Sequence, residues 1–301
     1  MGAKNQNEFL YVPLGGVGEI GMNMYLYGFG TKNDRKWIMV DCGIAFADDS
    51  QPGIESIMPD ISFIEEELDN LLGIFITHAH EDHQGGLDKI WPLLDAPIYA
   101  TPFSANLISR KIAETDFADD VEFIDVNQGD VVDIGPFSVE FIPVSHSIPE
   151  ANALAITTDL GTVLHTGDWK LDDNPVIGTK TDVARLKQLG KEGVLALVGD
   201  STNVFKSGKS PTEFEVGEGL EDAIKNASGC IAVTSFASNA ARVYSIIKAA
   251  DAANKQVVIA GRSLWRIIDI AREEGYFSDL PTLFDQNDFK ELKHDNVVVI
   301  V

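Results

Sequence analysis

Between Leu72 and His83 the chain reads LGIFITHAHEDH, an apolar stretch that breaks directly into three histidines and two carboxylates before Gly85 and Gly86. The apolar part has the length of one buried strand. Beyond the glycines, Leu87, Ile90, Trp91 and Leu94 recur at i, i+3, i+4 and i+7, the spacing of an amphipathic helix. A tight loop between a buried strand and a helix can aim several side chains at one spot. His78 and His80, two residues apart on extended backbone, point the same way, and Asp82 and His83 turn toward a second position. Imidazole with carboxylate is the ligand set expected for zinc or manganese. The spacing therefore predicts a metal centre at the end of a buried strand.

The rest of the first two-thirds reads as short strands. FLYVPL, MNMYLYGF, KWIMVD, VEFIDV and FSVEFIPVSH are strand-like, LAITTDLGTVLHTGD folds as a hairpin about Asp159-Leu160-Gly161, and VLALVGD closes the region. From residue 208 the texture changes. Ser210, Pro211 and Glu213 read as N-cap, N1 and N3 of a helix with a capping box. Strand GCIAVTSF, helix SNAARVYSIIKAADAANK, strand QVVIAG, helix SLWRIIDIAREEGY and strand NVVVIV follow. Such alternation predicts parallel β-α-β units, so the expected organisation is one domain over 1–207 and a second over 208–301. The last apolar strand ends on Val301, which reads as a chain cut short.

Composition narrows the setting. At 301 residues and 45% hydrophobic the chain can bury a real core. No run approaches 18 apolar residues, and the start carries no basic and apolar leader, so neither a membrane span nor secretion is expected. Cys42 and Cys230 form no CxxC, which fits a soluble protein of the cytoplasm. The 23 Lys and Arg against 47 Asp and Glu give a formal charge of −24, which pulls against a polyanionic ligand.

THAHEDHQGG resembles the HxHxDH signature of the metallo-β-lactamase superfamily. Asp41 in VDCG, His146 in PVSHSIPE and Asp168 in HTGDWKLD resemble the motifs that follow it there. The resemblance implies an α/β fold: a four-layer αβ/βα sandwich, followed here by part of a β-CASP domain with a parallel sheet. It implies that His78, His80 and His146 hold one divalent ion, zinc or manganese, that Asp82 and His83 hold another, and that Asp168 bridges them. Asp41 would support the metal loop from behind. Two such ions roughly 3.5–4 Å apart lower the pKa of a shared water and stabilise attacking and leaving oxygens, which makes Asp82, His83 and Asp168 catalytic candidates.

PLGGVGEIGMNMYLY, LVGDSTN with Asp200, TSFASNAARV and AGRSLWR resemble segments of ribonuclease J and its β-CASP relatives. That resemblance implies hydrolysis of RNA phosphodiesters, 5′-to-3′ with preference for a 5′ monophosphate and also endonucleolytic, by a homodimer in bacterial RNA maturation and decay. It adds Asp200 to the catalytic candidates. Thr234, Ser235, Ser238 and Asn239 fall where a strand ends and a helix begins, a favourable place for a phosphate. The ordinary meaning of such residues is an N-cap, but beside the resemblance Ser235 and Ser238 become candidates for holding RNA. The family supplies one more ligand histidine from a segment after the β-CASP insertion. Nothing after His294 resembles it, so a site short of a ligand and weak activity of these residues alone are expected.

Three rival readings stand beside this one. Gly16, Gly18 and Gly21 satisfy GxGxxG, but that fingerprint needs a helix next, and MNMYLYGFG alternates as a strand does. A hydrolase of a small thioester or lactam on the same fold suits the acidic charge. A non-catalytic metal-binding fragment is the third. His165, in mid-strand, and His294, in a polar turn, read as ordinary structural histidines.

Overall fold

The computed structural model describes residues 6–301. Two compact units divide the described residues: 6–144 with Glu150–Trp169 and Asp182–Asn203, and Ser145–Pro149 with Lys170–Thr181 and Val204–Val301. Among the described residues no helix is long and apolar enough to cross a membrane.

The first unit is built on two sheets. β1 (Glu8–Gly15), β2 (Met24–Thr31) and β3 (Asp34–Val40) form an antiparallel meander. A two-residue pair, β4 (Ala45–Phe46) with β5 (Ser56–Ile57), follows. β6 (Leu71–Phe75), β7 (Ile98–Ala100) and β8 (Phe123–Asp125) then extend the meander in parallel from β3. The second sheet runs β13-β12-β11-β10-β9, where β9 is Val131–Ile134, β10 Phe137–Pro143, β11 Asn152–Thr158, β12 Gly161–His165 and β13 Ala196–Val198. It is antiparallel except for the parallel pair β12 and β13.

Alternation along the strands makes the layers. Tyr25, Tyr27, Phe29, Ile38, Val40 and Phe75 meet Phe137, Val139, Phe141, Leu154 and Ile156 in a dry core between the sheets. The residues between them, Met24, Leu26, Met39 and Ile74, face outward onto α3 (Leu87–Leu94) and α4 (Pro102–Ile112). On the far side Ile142, Ala153, Ala155 and Leu164 pack against Leu186 and Leu189 of α5 (Val183–Glu192). A strand covered on both faces reads as an unbroken apolar run, and β2 is one: MYLYGFG is buried throughout. Helix, sheet, sheet, helix is the expected four-layer sandwich. Because β2 is a strand, the glycines before it do not open a helix, which removes the dinucleotide reading.

The second unit holds a four-stranded parallel sheet, β14 (Ile231–Val233), β17 (Val297–Ile300), β15 (Gln256–Ile259) and β16 (Leu283–Asp285), in that order. Its helices are α6 (Glu213–Asn226), α7 (Ala240–Ala252) and α8 (Arg262–Glu273). One expected cap is corrected. Thr212, not Ser210, caps α6: its hydroxyl accepts from Glu215 N at 3.1 Å, and Glu215 accepts in return from Thr212 N at 2.7 Å. Glu213, the partner that a Ser210 cap would need, is instead held by Arg242 Nε at 2.6 Å.

Candidate metal centre

The strand β6 ends at Phe75, and the loop after it leads into α2 (Glu81–Gln84); loop and helix together are fixed from several sides. Cys42 N donates to His83 O at 2.7 Å, Ile44 N to Glu81 O at 3.1 Å, and Gly86 N to Cys42 O at 2.8 Å. Asn152 N donates to Thr77 O at 3.0 Å from the second sheet. The segment 42–44 lies so close that a Cβ on Gly43 would stand 1.7 Å from the Asp82 carbonyl oxygen. Only glycine fits there.

Behind the loop sits Asp41, fully buried and at φ 61°, a left-handed conformation that costs an ordinary residue energy. Its carboxylate accepts from Thr77 N at 2.8 Å and from the Thr77 hydroxyl at 2.9 Å, and it faces His83 Nδ1 at 2.7 Å. Since a carboxylate only accepts, His83 Nδ1 carries the proton and Nε2 points away toward the site. The Thr77 hydroxyl also stands 3.0 Å from His78 Nδ1. With that hydroxyl donating to Asp41, His78 Nδ1–H donates to it, and His78 Nε2 is left with its lone pair. One buried carboxylate thus orients two imidazoles, which is how outer groups commonly fix metal-binding histidines.

The side chains of the loop form two groups. His78 Nε2 lies 3.0 Å from His80 Nδ1. Two imidazole nitrogens on one tetrahedral ion, at roughly 2.0–2.1 Å each, would be about 3.3 Å apart. One ligand atom from each of His78, His80, His146 and Asp168 lies within 4.8 Å of the others, and the same holds for Asp82, His83 and Asp168. Asp168 is shared. His83 Nε2 is 3.4 Å from Asp168 Oδ1 and 3.6 Å from Asp82 Oδ2. Burial alone would push the His83 imidazole down, but the Asp41 and Asp168 carboxylates outweigh it and hold it well above its ordinary value. A position that so favours a proton between carboxylates suits a cation, and the donor set fits divalent ions.

His146 comes two residues after the sheet pairing of β10 with β11 ends near Val144, in a loop secured beside it. Ser145 N donates to the Thr181 hydroxyl at 2.9 Å, and Lys170 N to Ser145 O at 3.0 Å. Asp168 follows β12 by three residues.

Other anticipated residues lie apart from these groups. Asp200, just past β13, is exposed; its carboxylate accepts from Thr202 N at 2.7 Å, and among the described residues it joins neither cluster. Ser235 is half-buried, its hydroxyl 3.4 Å from Phe236 O. Ser238 lies just outside α7, whose cap is Asn239, accepting from Arg242 N at 2.9 Å. His294 stacks on Phe289 with ring centroids 4.5 Å apart. His165 is buried, with Nδ1 2.9 Å from the Tyr27 hydroxyl, and burial first of all pushes it down to about 4.

One residue at the centre is not among the site residues expected from the sequence. Asn23 Nδ2 donates to the Asp82 carbonyl at 3.0 Å and lies 3.1 Å from His83 Nε2. Its signal was the glycine-rich turn that ends in GMNMY, which by itself names no role.

Against known families, residues 17–199 match the model described as the metallo-β-lactamase superfamily. The chain belongs to the metallo-β-lactamase superfamily. Residues 228–301 of this superfamily member match the ribonuclease J β-CASP domain. Ribonuclease J of Sinorhizobium meliloti is 47% identical over 98% of this chain and 52% of its own length. That of Helicobacter pylori strain B128 is 37% identical over 96% of this chain and 41% of its own length. The chain spans about half the length of the curated relatives it matches. A crystal structure of a protein of unknown function from Enterococcus faecalis V583 superposes with a TM-score of 0.65 at 18% identity. The match takes in 97% of this chain and 77% of that one, a likeness of fold alone. The fold is mixed α/β, with a metallo-β-lactamase part followed by a β-CASP part, and the likeness to ribonuclease J runs through both.

Proposed function

We propose that this chain is the catalytic part of a metal-dependent ribonuclease that hydrolyses RNA phosphodiesters. The observation that carries the reading is the convergence of His78, His80, His146 and Asp168 with Asp82 and His83 on one shared carboxylate, in a chain similar to ribonuclease J over nearly all its length. In this reading residues 1–207 are the metallo-β-lactamase domain and 208–301 belong to the β-CASP domain. His78, His80, His146 and Asp168 hold one divalent ion; Asp82, His83 and Asp168 hold the second; zinc and manganese both suit the donors. Bound there, such ions supply a low-pKa water and stabilise charge on the attacking and leaving oxygens.

The chain's own residues do the rest. Asp41 keeps the His83 Nε2 and, through Thr77, the His78 Nε2 available as ligands. Asp168, common to both groups, would be a ligand to either ion. Ser235 and Ser238, near the start of α7, would bind RNA phosphates, and Asp200 would take part near the site. Preference for a 5′ monophosphate, homodimeric assembly and cytoplasmic RNA decay come from the sequence resemblance alone.

One observation favours a second reading. The charge of −24 suits a small thioester or lactam better than a polyanion. Parallel turnover assays separate the two. With metal supplied, 5′-monophosphate RNA is expected to be cleaved faster than 5′-hydroxyl RNA, with no turnover of a chromogenic lactam or thioester. Turnover of the small substrate without RNA cleavage would replace the ribonuclease reading.

A further inference from the structure

We propose that Asn23, set by the Tyr25 hydroxyl, is a positioning residue for the second metal group, holding Asp82 where that ion needs it. The inference rests on the two-ion reading above and adds residues to it that are not ligands.

Asn23 is anchored twice through its backbone: its N–H donates to Asp82 O at 3.0 Å, and its carbonyl accepts from Gly43 N at 2.9 Å. The turn is therefore held without the side chain, which is left for another task. Its amide Nδ2 donates to the Asp82 carbonyl at 3.0 Å, reaches the Asp82 carboxylate at 3.4 Å and lies 3.1 Å from His83 Nε2. A primary amide has a donor end and an acceptor end. The donor end faces the two oxygens of Asp82, and the acceptor end, Oδ1, receives the Tyr25 hydroxyl at 2.7 Å. Tyr25 thereby sets which way the amide points.

Two further observations show that this pair is built in. The Tyr25 ring is buried, stacked on Tyr11 at 5.9 Å and 20°, and lies edge-on to His165 at 4.9 Å. Gly16 stands over the pair at φ 78°, and a Cβ there would come within 2.3 Å of the Tyr25 hydroxyl and 2.6 Å of Asn23 Oδ1. The glycine that satisfies a dinucleotide fingerprint in the sequence instead leaves room for this hydrogen bond. Asp82 needs the help: its carboxylate is a third exposed and sits in α2, a single turn of helix. His83, its neighbour, is held from behind by Asp41.

The test is a metal titration of the apo-chain, read by cobalt absorbance and by zinc competition against a chromophoric chelator. The His80→Ala variant, which removes a ligand of the first group, assigns the two binding constants. The wild-type chain is expected to take two ions, the second more weakly because Asp82, His83 and Asp168 are its three ligands here; if it takes fewer, the two-ion reading fails and this proposal with it. Asn23→Ala should weaken the second constant by about 10–100-fold, as loss of an outer hydrogen-bond partner commonly does, with the first constant and the apo melting temperature unmoved. Tyr25→Phe, which removes only the hydroxyl, should weaken the same constant less, and the double variant should bind no worse than Asn23→Ala because the two act in series. Two-ion binding by wild type with unchanged constants in both variants overturns the proposal alone. So does a parallel fall of both constants, or a lowered apo melting temperature in Tyr25→Phe, since either makes the role merely structural.

Discussion

Two junctions in this molecule look alike in sequence and differ in structure. At 76–87 and again at 234–240 a strand gives way to a polar stretch and then to a helix. The first is tied down by backbone hydrogen bonds from Cys42, Ile44, Gly86 and Asn152, and His78 and Thr77 are completely buried. The second carries Phe236 at 85% exposed, a long Ser235 contact and one cap at Asn239. Metal ligands must be held to within a fraction of an ångström, whereas a surface that meets a flexible polymer can remain open. The physical difference lies in what stands behind each loop, and at the first that is Asp41.

The largest effect should come from breaking that support. Asp41→Ala leaves Thr77 and His83 without their buried acceptor, and removal of one member of such a pair costs about 3–5 kcal/mol. Urea unfolding of the apo-chain should show a loss of this size. A loss below about 1 kcal/mol would mean that the backbone contacts hold the loop unaided.

Next comes pH. His165 is buried behind the centre, with its proton affinity lowered from 6.5 to about 4. Between those values the unfolded chain binds a proton that the folded chain refuses, so stability is full above about 6.5 and falls as pH drops through the window. The loss is roughly 3 kcal/mol at most. Urea unfolding of the apo-chain at pH 7 and pH 5 checks the sign, and His165→Asn should flatten the difference.

The smallest effects belong to the second junction. Asn239→Ala removes a helix cap and should cost about 1 kcal/mol. Ser235→Ala should change stability by no more than about 0.5 kcal/mol; in the proposed role its effect appears as a raised KM for RNA with kcat kept. A Ser235 variant as destabilised as Asp41→Ala would erase the contrast.

How much of this was legible follows from distance along the chain. HAHEDH announces itself because its residues are neighbours and the strand and helix around it are strongly patterned. His146 and Asp168 lie on other strands' ends; spacing alone could not join them to the first cluster, and only their resemblance to known motifs did. The roles of Asn23 and Tyr25 have no such signal, because their partners Asp82 and Gly16 are set by sheet register and a glycine turn, neither of which periodicity reports. The cap of α6 differs from its sequence expectation for a similar reason: Glu213 is taken by Arg242 of α7, a contact between two helices. Strand β16, three residues among polar neighbours, had too little pattern to be seen.

The central claim is that the histidine and aspartate groups bind the ions on which RNA hydrolysis depends. It is tested most directly by measuring metal content and cleavage of 5′-monophosphate RNA on the same samples of wild type and His80→Ala. Metal and cleavage should be lost together in the variant. A variant that loses its metal and still cleaves RNA at the wild-type rate would contradict the account.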